Sequence, residues 1–188
     1  MKKYEFTGET KQINLLFRTA TLHRIRAVVE FGLVKIGDLG GWIEKEENLS
    51  HDGKAWVWGN AKVWGNAKVW GNAKVWGNAE VCGDAKVWGN AEVWGNAEVW
   101  GNAEVFSASH VLVIGAIGSR NDFTTFFRDK DGEITVKCGC FLGKIDRFLE
   151  KVASTHGNSK YALVYRAAVE VAKLQIDLTG EAPEMDEE

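Results

Sequence analysis

The sequence predicts a mostly β protein, a parallel β-helix closed at its ends by smaller pieces. Three observations predict it. The unit V-W-G-N-A-[KE] recurs in eight consecutive copies beginning at Val57, Val63, Val69, Val75, Val81, Val87, Val93 and Val99. A period of six cannot hold one face of an α-helix, where side chains six apart are rotated by roughly 240°, but an even period does hold one face of an extended strand. Finally, a four-residue strand ended by a Gly-Asn corner has no neighbour of its own and must pair with the next turn of a coil.

Taken in order, residues 1–32 are expected to cap the first coil. The opening "MKKYEFTGETKQ" has no apolar stretch of the export type, and no run of about 18 apolar residues offers a membrane span. The expectation is a cytosolic protein without a membrane partner. Cys82, Cys138 and Cys140 are too few and too scattered for a disulfide framework, so reduced thiols are expected.

The coil itself is expected over residues 33–127, with regular hexads over 57–104 and about five turns. Ala and Val point inward; Lys or Glu and Trp point outward. Counting back in sixes puts Ala55, Leu49, Ile43 and Gly37 in the small-residue position and Leu39 and Leu33 in the Val position, where Lys45 and His51 break the pattern. Counting forward gives Val105, Val111, Ile117 and Phe123 in the Val position, with Ser109, Gly115, Asn121 and Phe127 in the other.

An aliphatic residue followed four later by a small one resembles the hexapeptide-repeat superfamily. That resemblance implies a left-handed β-helix in which three hexads form one triangular coil, and it implies a parallel homotrimer. The stretches "LHRIRAVVEFGLVKIGDLGGWIEKEENLSHDGKAWV" and "RNDFTTFFRDKDGEITVKCGCFLGKIDRFLEKV", together with the hexads, resemble a group of phage and prophage β-solenoid proteins. That second resemblance implies an accessory protein acting in the cytoplasm of an infected host.

With three hexads per coil, outward aromatic residues stack in three columns: Trp58, Trp76, Trp94; Trp64, Cys82, Trp100; and Trp70, Trp88, Phe106. So large an apolar exterior calls for a cover. Rings stacked on one another and buried between subunits are the expectation; a platform for sugars or nucleobases is the alternative. Beside the columns run Trp56, Lys74, Glu92; Lys62, Glu80, Glu98; and Lys68, Lys86, Glu104, a drift from base to acid that would suit head-to-tail stacking. The net charge of −3, which becomes +2 without the tail "GEAPEMDEE", excludes the strong basic field of a duplex DNA binder.

Beyond the hexads, Thr124 to Arg128 and Glu133 to Cys140 read as a β-hairpin around "DKDG". Ser119, Arg120, Asn121, Thr124, Thr125, Arg128 and Lys137 form a donor-rich set suited to a phosphate or carboxylate, with Phe123, Phe126 or Phe127 available to stack a base. In the plainer reading the Phe residues are core and the charges pair with Asp122, Asp129 and Glu133. Cys138 and Cys140 read as two buried thiols on one side of a strand, and no metal site is expected.

Residues 128–179 are expected to hold the hairpin and a two-helix cap. Ile145, Phe148, Leu149 and Val152 form one stripe, Gly157 ends the first helix, Ser159 caps the second, and Tyr161, Val164, Ala168 and Val171 continue the spacing. The acidic residues 180–188 are expected to be disordered.

Near-identical hexads cannot converge different residue types on one point. Of the histidines next to the regular coils, His51 and His110, only His51 has an acid close in sequence, Asp52. The expected function is therefore a non-enzymatic, cofactor-free binding scaffold of phage type that counters host defence by holding an anionic nucleotide-like ligand or a host defence protein. A hexapeptide-type acyltransferase using His51 or His110, and a polymer-forming solenoid, are the alternatives.

Overall fold

Nine short strands follow one another at six-residue intervals in the computed structural model, which describes residues 1–15 and 18–183. They come after β1 (Tyr4–Asn14), β2 (Thr19–Ala27) and β3 (Leu39–Ile43), and are β4 (Trp56–Val57), β5 (Lys62–Val63), β6 (Lys68–Val69), β7 (Lys74–Val75), β8 (Glu80–Val81), β9 (Lys86–Asn90), β10 (Glu92–Val93), β11 (Glu98–Val99) and β12 (Glu104–Ser107). Every third strand pairs in parallel, giving three columns: β3, β5, β8, β11; β4, β7, β10; and β6, β9, β12. The result is a β-solenoid of about four turns over residues 42–107.

Each regular coil fastens to the next by the same bonds. The N–H groups of Lys74, Trp76 and Asn78 donate to the carbonyls of Ala91, Val93 and Gly95 at 2.9, 3.0 and 2.8 Å. The inward Val and Ala side chains from Ala55 to Val105 are fully buried, each Val contributing about 1.5–3 kcal/mol of transfer free energy. Stacking also brings the outward charges into three ion pairs, although Lys68 lies on Lys86 and Glu80 on Glu98. Eighteen residues apart, Lys62 meets Glu80 at 2.6 Å, Lys74 meets Glu92 at 3.0 Å and Lys86 meets Glu104 at 3.3 Å. At the corners Asn66 bonds Asp84 and Asn78 bonds Asn96 in the same register.

The coil is shorter at both ends than its sequence phase predicts. Ile43 pairs with Val63 and Leu49 with Val69, so both stand in the Val column and not in the small-residue column. Both spacings are 20 residues instead of 18, so the corner before Val57 carries two extra residues, and Lys45 and His51 never occupied the Val position. Leu33 and Leu39 lie outside the core, the former 84% exposed. At the other end Val111, Ile117, Phe123 and Phe127 leave the coil for an antiparallel sheet of β13 (Val111–Ile117), β14 (Asp122–Arg128), β15 (Ile134–Cys138) and β16 (Phe141–Lys144).

The expected hairpin is the centre of that sheet, with Thr124 opposite Cys138 and Arg128 opposite Ile134. Phe127 plugs the solenoid core, with Val111 and Val113 beside it, while Phe126 faces the helices. The helices are α1 (Ile145–His156), ended by Gly157, and α2 (Lys160–Gln175), begun at Ser159. On α1 the expected stripe is the packed one. On α2 it is not: Ala162, Tyr165, Ala168, Val169 and Ala172 are buried, whereas Tyr161, Val164 and Val171 face outward. Ala162, Ala168 and Ala172 let α2 lie close to the sheet, and Tyr165 and Val169 fill the space between them. Of the acidic tail, residues 184–188 lie outside the described residues.

Candidate functional site

The three aromatic columns meet different fates. The hairpin of β1 and β2 shifts register between Phe6 and Thr10 and β2 shifts against β3 between Arg24 and Arg26; such irregularities bend strands. Bent, it lies over the second column. Leu22 packs with Trp64 and Cys82, and Ile13, Leu15, Trp42 and Trp100 complete the cluster. Cys82, smaller than the Trp it replaces, leaves the room that Leu22 occupies, and burial pushes its thiol well above the ordinary range. Trp100 is covered from the other end by Lys137, whose ammonium sits 4.0 Å from the ring centre.

The third column is covered by the C-terminal parts of the chain. Trp70 stacks flat on Trp88 at 5.0 Å, Trp88 meets Phe106 at 4.9 Å and Phe106 meets His110 at 4.3 Å. The Arg128 guanidinium lies over Phe106 at 4.9 Å. After α2 the chain returns along this side: Asp177 donates its N–H to the Ser109 carbonyl, Gly180 lies against Phe106 and Pro183 against Gly89.

Among the described residues, the first column has no such cover. Trp76 and Trp94 stack at 6.3 Å with planes 13° apart. Trp58, whose backbone bridges Gly40, and Trp76 are half-buried, and Trp94 is 56% exposed. Among the described residues no ring or cation from another element stacks on the three. Glu92, beside Trp94, is neutralised from below by Lys74. This face is the candidate site, an aromatic ladder on a stiff frame with one ion pair along its flank.

The donor-rich set beyond the hexads is distributed over several places. Ser119, Arg120 and Asn121 occupy the turn between β13 and β14; Ser119 is 3.4 Å from His156 Nε2, and the Arg120 guanidinium lies over Gly139. Thr124 is buried on the helix side, donating its hydroxyl to Cys138 Sγ at 3.3 Å. Thr125 and Lys137, paired across the strands, face the end of the solenoid. There Thr125 Oγ1 accepts the Glu98 N–H at 3.0 Å, and Lys137 pairs with the Glu98 carboxylate at 2.5 Å. Arg128 is held by Phe106 and by the Asp129 carbonyl. These groups join the sheet to the solenoid more than they converge on one point.

The acids of the turn pair elsewhere than expected. Asp129 is fully buried and accepts from Thr135, Lys144 and the N–H groups of Asp131 and Glu133. Burial opposes its ionisation, but those bonds outweigh it and hold the carboxyl below the usual carboxylate range. Asp131 and Glu133 reach the same Lys144 at 3.3 and 2.7 Å. No local signal marks Lys144, because it arrives through the register of β16. Cys138 is half-buried and Cys140 exposed: β15 ends at Cys138, so the two thiols do not share a strand face or a buried site.

Both candidate catalytic histidines serve the backbone. His51 Nδ1 accepts the Lys3 N–H at 3.3 Å and its ring stacks on Tyr4. His110 Nδ1 accepts the Phe106 N–H at 3.3 Å; burial, then Arg128, pushes its pKa down to about 4. Among the described residues, no group of acids, His and Cys fit to hold a metal occurs, and no helix is long and apolar enough to cross a membrane.

No protein-family model matches the chain, and no curated protein matches it.

Proposed function

We propose that the protein is a non-enzymatic binding scaffold, a stiff β-solenoid that presents the Trp58, Trp76 and Trp94 face to a macromolecular partner. One observation carries the reading: the chain spends its N-terminal hairpin on one aromatic column and its C-terminal segment on another, and leaves the third open. Exposed apolar patches rimmed by polar residues mark interaction sites, and aromatic side chains dominate the binding energy of interfaces. The two histidines at the ends of the solenoid have Nδ1 engaged by backbone N–H groups, which favours binding over acyl transfer.

Assembly as a homotrimer belongs to the same proposal. Its support is α2, where Val164, Ala167, Val171 and Leu174 are exposed at alternating three- and four-residue steps, the spacing of a coiled-coil seam. The resemblance to phage and prophage solenoids supports host defence as the target. A host protein fits the aromatic face better than a nucleotide fits the dispersed Arg120 and Arg128.

The test is a plating assay on strains that each carry one defence system restricting a reference phage. The wild-type protein restores plaques on at least one strain, and Trp76→Ser/Trp94→Ser, with unchanged circular dichroism, does not. Equal rescue by the variant removes the face from the account, and no rescue on any strain removes the antagonist role.

A further inference from the structure

We infer that the outer edge of β10 is a strand-addition site for an extended segment of a partner protein, one carrying a basic residue followed two positions later by an aromatic one. The inference rests on the reading of the Trp58, Trp76 and Trp94 face as the recognition surface, and names how the partner engages it.

Each of the three columns ends in the last coil. The end of β11 is closed by Thr125, which receives the Glu98 N–H, and the end of β12 by the turn after β14, where Ala103 bridges Asp129 and the Lys130 N–H reaches Asn102. β10, among the described residues, pairs with β7 and with no other strand, and its outer edge carries no bridge. Among the described residues, the N–H groups of Glu92, Trp94 and Asn96 donate to no other group, although their counterparts at Lys74, Trp76 and Asn78 all donate to the next coil. Corner geometry agrees independently. A Cβ built on Gly77 or Gly83 would lie 3.1 or 2.9 Å from the backbone of the next coil, whereas one on Gly95 meets nothing within 4 Å.

The requirements of the occupant follow from the column it would extend. Three carbonyls must face the three N–H groups, as those of Ala91, Val93 and Gly95 face the coil below. Next to Glu92, whose carboxylate is satisfied by Lys74 from one side only, a Lys or Arg supplies an ion-pair partner from the other. Next to Trp94, whose outer ring face is unstacked, an aromatic ring continues the ladder. Between them the residue facing inward must be small, because Phe127, Val111 and Val113 already close the core. The chain's own last residues, Glu184 to Glu188, carry four acids and no ring and do not match. Backbone pairing supplies affinity and the alternate side chains supply specificity in such additions.

The test uses the full-length protein, uniformly labelled with nitrogen-15, and the capped peptide acetyl-Ala-Lys-Ala-Trp-Gly-Asn-amide at up to millimolar concentration. The amides of Glu92, Trp94 and Asn96 shift saturably and their hydrogen exchange slows by about tenfold or more. Replacing the peptide Lys by Glu weakens binding by about two- to fivefold, the worth of an exposed ion pair. Shifts confined to the Trp94 indole would mean ring stacking without strand addition and would overturn the inference. So would no change at the three amides, or competition by a second copy of the protein, seen as a concentration-dependent mass that the peptide abolishes. The plating assay depends also on Trp76, one coil below the edge, so the face can stand where strand addition fails.

Discussion

At the scale of single residues, burial decides which polar groups remain available. His110 is fully buried against Phe106 and carries a pKa lowered from 6.5 to about 4. A histidine whose folded pKa lies below its unfolded value resists protonation in the native state, so its contribution is whole above about pH 6.5 and is lost as pH falls toward 4. A shift of this size is worth about 3 kcal/mol. Urea unfolding between pH 7 and pH 4 should show that loss, and His110→Asn, which keeps an acceptor near the Phe106 N–H, should flatten the slope over the same interval. A second residue-scale prediction concerns the open corner. Gly83 and Gly95 both have left-handed φ, +76° and +67°, and an Ala at either costs roughly 1–2 kcal/mol for that reason. Only at Gly83 does the added methyl also strike the next coil, so thermal unfolding should show Gly83→Ala clearly less stable than Gly95→Ala; equal losses would mean that the Gly95 corner is covered.

Among the elements, the C-terminal sheet is joined to the solenoid by Thr125, Phe127 and Lys137 and pinned internally by Asp129. Lys144 is the cation in a cage of three carboxylates. Removing it as Lys144→Met leaves Asp129 buried and without its counter-ion, a loss of about 3 kcal/mol, measurable by chemical denaturation. For α2, the proposed homotrimer predicts that Val171→Glu and Leu174→Glu lower the mass in sedimentation while leaving the helix content unchanged, since both side chains point away from the protein's own core. How much of this was legible beforehand depended on whether the pattern was local. The hexads specify their own inward and outward faces, and the stretch from Ile145 to Val152 specifies a helix stripe, because each is a period within one segment. The place of Leu49 and Ile43, the outward turn of Val164 and Val171, and the pairing of Asp129 with Lys144 depend on an insertion before Val57 and on which strand lies across which. A single apolar count along α2 has two stripes to choose from, and only the packing of Tyr165 and Val169 selects one.

The molecule as a whole is a rod with unequal sides, and its last coil is covered over β11 and β12 but not along the outer edge of β10. Its N-terminal hairpin and its C-terminal return each cover one column of rings, so the sequence repeat, which treats the three faces alike, becomes a structure that does not. The candidate face was partly visible in the sequence as the one column of three Trp, since Cys82 and Phe106 interrupt the other two; that the interrupted columns are the covered ones was not, because it depends on where distant segments pack. What selects Trp58, Trp76 and Trp94 is where two distant parts of the chain, Ile13, Leu15 and Leu22 of the first hairpin and residues 176–183, happen to lie. The most direct test is fluorine NMR of the protein labelled with 5-fluorotryptophan, with a soluble paramagnetic agent added and each signal assigned by single Trp→Phe substitution. The account predicts strong broadening of Trp94, clear broadening of Trp76, and little effect on Trp64 and Trp88; broadening of Trp64 and Trp88 as strong as that of Trp94 would contradict it.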